Sequence, residues 1–330
     1  MSASMPLPEG VAARPMCPDD IEAVAQLLTL AEAVDATGEF VEAEDLREWW
    51  VNELVDLASD SQVVLSGDGE VVGYATAIAP PTFRDAFDVY LEGRVHPGWR
   101  GRGIGRGLLA WQLGRGAELH AERHPGSPAR LTAGLPTSMP SAEALMRRAG
   151  LSAQRWYFHM TRPLADLPEP RPVEGVELTP FSWDRDDEVR QAHNVAFAEH
   201  HGSSERDVAS WQVMFTGQRS FRPDLSVLAL EGGAVVGYAL VYVYAADTAA
   251  RGYASTYFGQ IGVLPHARGR GLSKAAIVEA LRLAATDGCR VATLQVDSEN
   301  VTGALGLYEG LGFTTERTLI TWSRMLDPLP

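Results

Sequence analysis

Two stretches decide how this chain is read. They are Val95-His96-Pro97-Gly98-Trp99-Arg100-Gly101-Arg102-Gly103-Ile104-Gly105 and Val263-Leu264-Pro265-His266-Ala267-Arg268-Gly269-Arg270-Gly271-Leu272-Ser273. The second begins about half a chain length after the first. Each follows a run of strand-forming residues and precedes a helical pattern, so each is a strand–turn–helix corner. The N–H groups that open a helix have no partner inside it and carry part of its dipole. Glycines let that backbone approach a ligand closely, so such a corner can cradle a pyrophosphate. The alternative is a tight loop whose arginines are merely solvated.

Other repeats share nearly the same spacing. Val71-Val72-Gly73-Tyr74-Ala75 returns letter for letter as Val235-Val236-Gly237-Tyr238-Ala239. The tail Gln154-Arg155 to Met160-Thr161-Arg162 is echoed by Glu316-Arg317 to Trp322-Ser323-Arg324. Ordered matches at half the chain length indicate one domain written twice. Pro168, Pro170 and Pro172 mark a stiff linker. We place the domains at 11–164 and 174–328, with the linker at 165–173.

Within each half, Ile21, Val24, Ala25 and Leu28, and likewise Val189, Ala192, His193 and Ala196, fall at helical spacing. Hairpins over Gly67-Asp68-Gly69 and Glu231-Gly232-Gly233 follow, with strands Gln62–Leu65, Val71–Ile78, Ser226–Leu230 and Val235–Tyr244. Further strands are expected at Val89–Val95 and Tyr257–Val263, then helices at Ile104–Glu118 and Leu272–Thr286. Arg290–Val296 reads as a strand, Val301–Glu309 as a short helix and Thr314–Met325 as the closing strand. The fold class is α+β: two mixed sheets, each flanked by helices.

The composition narrows the function. Hydrophobic residues make up 45% and charged residues 22%, an ordinary globular balance. The net charge of −15 argues against nucleic acid as a partner. The longest near-apolar run, Val235–Ala246, is too short for a bilayer span, and Met1–Pro15 has no apolar segment of a signal peptide. No membrane partner and a cytoplasmic location are expected. Two cysteines, Cys17 and Cys289, cannot make a disulfide framework or a four-thiolate zinc site. His193, His200 and His201 lack any metal-ligand spacing, so no metal is expected. The dinucleotide fingerprint fails at Arg106 and Leu108, and the P-loop pattern fails because Lys274 follows Ser273.

What the corners do resemble is the coenzyme A turn of the Gcn5-related N-acetyltransferases, R/Q-x-x-G-x-G/A after a strand ending V-x-P. The first half matches in full, and the second has Ser273 at the last small position. The family's second signature is similar to Asn300, Ala304, Leu307-Tyr308 and Leu311-Gly312-Phe313. The tandem layout is similar to that of actinobacterial mycothiol synthases. The resemblance implies two tandem domains, each with a splayed mixed sheet, and acetyl-CoA as co-substrate. It implies that Ile261 and Val263 offer backbone groups to the acetyl carbonyl and pantetheine. The turn Arg268, Gly269, Arg270, Gly271, Leu272 and Ser273 would hold the pyrophosphate. Asn300 would contact the pantetheine, and Tyr308 would protonate the leaving sulfur. In the first half Val95, Arg100, Gly101, Arg102, Gly103, Ile104 and Gly105 would form the corresponding cofactor site.

Acyl transfer to an amine also needs a proton acceptor. Mycothiol synthases are expected to carry an acid on the strand before the second turn, where this chain reads Tyr257-Phe258-Gly259-Gln260. Glu199 and His200, with Tyr257, are the candidate substrate contacts. Aligning Gly150-Leu151 with Gly312-Phe313 sets Met146 against Tyr308 and Ser138 against Asn300, so the first half is expected to be catalytically silent. The expected activity is acetyl transfer from acetyl-CoA to a primary amine of a small molecule, by a monomer or homodimer. A coenzyme A sensor and a protein acetyltransferase are the rival readings.

Overall fold

A computed structural model describes residues 5–199, 203–299 and 303–329. The chain forms two compact units: residues 1–155 with 319–330, and residues 156–318.

The first unit contains strands β1 (Val11–Arg14), β2 (Ser61–Ser66), β3 (Val71–Ile78), β4 (Phe87–Val95) and β5 (Ala129–Pro136). Its helices are α1 (Ile21–Asp35), α2 (Ala43–Trp50), α3 (Leu57–Asp60), α4 (Ile104–Arg123) and α5 (Pro140–Arg148). The second unit takes β6 (Ser152–Pro163) from Trp156 onward, then β7 (Val176–Pro180), β8 (Val227–Glu231), β9 (Ala234–Tyr242), β10 (Ser255–Val263) and β11 (Val291–Asp297). Its helices are α6 (Asp186–Ala196), α7 (Val208–Trp211), α8 (Ala245–Arg251), α9 (Leu272–Thr286) and α10 (Ala304–Glu309). The last strand, β12 (Thr314–Leu326), begins in the second unit and ends in the first. The orders are β1-β2-β3-β4-β5-β12 and β6-β11-β10-β9-β8-β7.

The units are therefore not the two halves of the sequence. β5 pairs with Leu319–Leu326, while β11 pairs with Tyr157–Pro163. Each half's closing strand completes the other half's sheet, and the contact boundaries fall at Arg155/Trp156 and Thr318/Leu319 rather than at the prolines. The reason is physical. Two copies of one domain offer equivalent sheet edges, and main-chain pairing does not distinguish which copy supplies the strand.

Both faces of each sheet are covered. On β9, Ala239 and Val241 pack with Ile277, Leu281 and Ala284 of α9, while Tyr238, Leu240 and Tyr242 pack with Val189 and Trp211 on the opposite face. Two-sided burial is why Ala234–Tyr242 reads as a continuous apolar run instead of an alternation. In the first unit Ile104, Leu108 and Trp111 of α4 cover one face, and Ile21, Val24, Leu46 and Trp50 cover the other.

The feature that makes the site is shared by both units. β4 pairs in parallel with β5 only from Phe87 to Tyr90, and β10 with β11 only from Ser255 to Phe258. Beyond those pairs the strands separate, leaving a wedge that ends at the arginine–glycine turn.

Candidate acetyl-transfer site

The two turns have one backbone. Gly101 and Gly103 have φ of 78° and 98°, and Gly269 and Gly271 have φ of 77° and 86°. A side chain at any of them would be strained, so glycine is required by conformation. Arg100 Nε donates to the Val95 carbonyl at 3.1 Å, and Arg268 Nε to the Val263 carbonyl at 3.3 Å. Neither α4 nor α9 has a side-chain cap. The N–H groups that open one long helix are thus presented at the mouth of each wedge, α4 in the first unit and α9 in the second.

In the second unit the wedge is a cavity of about 550 Å³. Ile261, Val263, Arg268, Gly269, Gly271, Leu272 and Ser273 line it, together with Tyr257 and Tyr308. Arg270 does not. Its guanidinium pairs with Glu231 at 2.9 Å and donates to the Glu174 carbonyl at 3.2 Å, so only its main chain belongs to the turn. Ala196 and Phe197 at the end of α6 reach the cavity, whereas Glu199 sits on an exposed turn and is not among the lining residues. Asn300 and His200 lie outside the described residues.

β10 carries one residue more than its partner at this point: Phe258 faces Val241 and Gln260 faces Leu240, with Gly259 bulged between them. A Cβ on Gly259 would lie 2.5 Å from Cε2 of Tyr242, so this bulge has room for glycine and not for a side chain. Tyr308 is 9% exposed, with its ring centroid 6.1 Å from Phe313 and at an angle of 67°. Burial, and secondarily Tyr257, push its phenol up to about 12. It therefore stays protonated at any working pH, as a donor must.

The first unit's cavity is smaller, about 230 Å³. Val95, Arg100, Gly101, Ile104 and Gly105 line it, and Arg102 and Gly103 do not. Arg102 instead lies 4.5 Å above the Trp99 ring. Arg100 is bound by Asp35 through two contacts of 2.6 and 2.8 Å. β4 has no bulge, running in unbroken register from Gly73↔Val95 to Ile78↔Tyr90. Met146 lines this cavity. Its equivalence to Tyr308 is structural: Leu151 N–H donates to the Met146 carbonyl at 3.1 Å, and Phe313 N–H to the Tyr308 carbonyl at 3.0 Å.

Two acids escaped the sequence reading. Glu92 is the first-half counterpart of Gln260, at the same place on the strand preceding the turn. It borders the cavity and accepts from Tyr74 Oη at 3.1 Å. It is open to whatever fills the cavity, yet protein crowds it closely enough for burial to raise its carboxyl above the usual range. Carrying the spacing of the two turns back from Gln260 into the first half would have found it. Asp297, at the end of β11, is 5% exposed and lines the second cavity. No motif flagged it. Among the described residues, no group of three or more His, Cys, Asp or Glu could hold a metal.

A mixed sheet that splays at a glycine turn, repeated with a tyrosine beside one copy, defines a class of acyl-transfer protein. The acetyltransferase (GNAT) family model matches residues 23–124 and 186–313, and the chain belongs to that family. The mycothiol acetyltransferase of Thermobispora bispora is 35% identical over 315 residues, covering 90% of this chain and 93% of that protein. The mycothiol acetyltransferase of Streptomyces coelicolor is 31% identical, covering 92% and 91%. Among solved structures, the GCN5-related N-acetyltransferase of Sphaerobacter thermophilus superposes with a TM-score of 0.76 at 26% identity, covering 98% of each chain. A tandem GNAT protein from the clavulanic acid biosynthesis pathway has the same fold, with a TM-score of 0.68 at 22% identity over 97% and 100% of the chains. The protein is a tandem-domain N-acetyltransferase.

Proposed function

We propose that the second unit transfers the acetyl group of acetyl-CoA to the primary amine of a small molecule, by direct attack in a ternary complex. The observation that carries this is one cavity bordered by both an uncapped glycine turn and a buried, protonated tyrosine. The turn's N–H groups would hold the pyrophosphate. The free edge of β10 at Ile261 and Val263 would hold the pantetheine and orient the acetyl carbonyl. Asn300 would contact the pantetheine as well. The amine nitrogen attacks the carbonyl carbon, the C–S bond breaks, and Tyr308 gives its proton to the sulfur. The likeness to mycothiol acetyltransferases supports a small-molecule amine of the mycothiol type as the first acceptor to try.

The first unit, on this proposal, performs no transfer. Support comes from Met146, since a thioether has no proton to give. It comes also from the pairing of Arg100 with Asp35. Glu92 supplies an acid there, but nothing that can protonate a thiolate takes the place of Tyr308.

The test is thiol release from acetyl-CoA by the full chain with a panel of primary amines, followed by mass measurement of the product. Release that requires one amine, with 42 Da added to it, is the expected result (roughly the mass of a ketene unit, as one acyl transfer demands). Cofactor binding without amine-dependent release would leave a coenzyme A sensor, a reading that the absence of an acid at Gln260 favours.

A further inference from the structure

β10 carries no acid at Gln260, and the strand beside it, β11, ends in Asp297. We propose that Asp297 is the residue that receives the acceptor's ammonium and takes its proton. This rests on the transfer reaction proposed above.

Three observations carry the assignment. The first is position. β10 and β11 part after Phe258↔Leu294, and Asp297 lies further along β11, where the wedge is open. The second is the face. Leu294 and Val296 pack under α9 and border the cavity from that side, the side of Tyr308. Alternation puts Thr293, Gln295 and Asp297 on the opposite side, and Thr293 and Asp297 are paired with Tyr257 and Tyr157 respectively. Both tyrosines line the cavity. The third is uniqueness. Among the described residues that line the cavity, Asp297 is the one carboxylate, and it is 5% exposed. The other charged or titratable groups around the cavity are Tyr157 on β6, Tyr257 on β10, Arg268 and Lys274 at the turn and α9, and Tyr308 on α10. None of these attracts a cation by charge.

The chemistry requires such a group. An aliphatic amine arrives as R–NH₃⁺, whose nitrogen has no lone pair for attack. A carboxylate in a low-dielectric cavity binds that cation strongly and accepts one proton, directly or through a water. The free amine then forms the C–N bond. As the C–S bond breaks, the sulfur takes the proton of Tyr308, and the proton lost from the new amide nitrogen restores the phenol. One proton is released overall, through Asp297.

The variant Asp297→Asn tests this without disturbing the local turn. Asp297 Oδ1 accepts the Glu299 N–H at 2.9 Å, and an asparagine oxygen can do the same. With the full chain and the best amine of the panel, we expect kcat/KM to fall ~10²–10³-fold, in the range of a lost general base. Acetyl-CoA affinity by calorimetry should not change. In the Asn variant kcat/KM should climb with pH towards the amine's own pKa more steeply than in wild type, because only free amine can then react, and Asp297→Glu should restore part of the rate. Asn with wild-type kcat/KM and an unchanged pH profile overturns the proposal, as does a loss of activity matched by a loss of acetyl-CoA binding. Wild-type protein that releases no thiol with any amine overturns the transfer reading, and this assignment with it, before any variant is made.

Discussion

Replacing Tyr308 with phenylalanine removes one oxygen from the cavity wall and nothing from the packing. The ring stays edge-on to Phe313 at 6.1 Å, so the fold should keep its melting temperature. With its phenol at about 12, Tyr308 is ~10⁻⁴ ionised at pH 8, and the donor is present throughout the working range. Without it the coenzyme A thiolate must leave unprotonated or wait for water. A general acid contributes ~10²–10⁴ in rate, which is ~2.7–5.5 kcal/mol of barrier. The assay is stopped-flow or steady-state thiol trapping with saturating amine, alongside calorimetry of acetyl-CoA. We expect kcat to drop by that factor while acetyl-CoA affinity holds. A phenylalanine variant with wild-type kcat would mean that Tyr308 is only a core residue whose hydroxyl happens to reach the cavity.

The other expectations are briefer. Gly271→Glu forces a side chain into φ of 86° and a negative charge onto the α9 N-terminus, and should abolish transfer. Gly103→Glu, at φ of 98° in the first unit, should leave most of it; comparing their rates on folded samples decides which unit is active. His159 is held down to about 4, chiefly by burial and next by Arg317, so the folded state refuses a proton that the unfolded chain accepts near pH 6.5. Its stabilisation is complete above that pH and is lost as pH falls towards 4, by up to ~3 kcal/mol. Urea titrations of His159→Gln should show a weaker dependence across that window. Gly259→Ala puts a methyl 2.5 Å from the buried ring of Tyr242 and should cost ~1–3 kcal/mol by chemical denaturation, with weakened acetyl-CoA binding as the bulge shifts. A fragment spanning 174–328 lacks β6 and should fail to unfold cooperatively, whereas 156–318 retains it.

Local chemistry was legible in the sequence where the backbone itself dictated residue type. Alternating glycines located both turns, and α9 runs over Leu272–Thr286 as its periodicity indicates. α4 continues to Arg123, beyond the expected Glu118, because Leu119 and His120 are buried and extend the packed face. The run expected to be strand through Tyr244 ends at Tyr242, and α8 follows from Ala245, where small residues carry no clear period. Asp297 was hidden because nothing local marks it. Its place depends on where two strands part, which is a property of pairing. The exchange of closing strands was hidden for the opposite reason: the repeat makes β6 and β12 alike, and likeness cannot say which edge each will join.

That exchange sets a schedule for synthesis. The first unit's sheet is complete only when Leu319–Leu326 has joined β5, although its other strands have been made by Arg155. At about 5–20 residues per second, translating the stretch from Trp156 to Thr318 takes roughly 8–33 s. Throughout that interval β5 lacks its native partner, and its edge is available to neighbours on a polysome or to the like strand β6. The nascent protein should therefore depend on chaperones in proportion to how slowly its second half is translated, and a stall there should be more damaging than one in the first half.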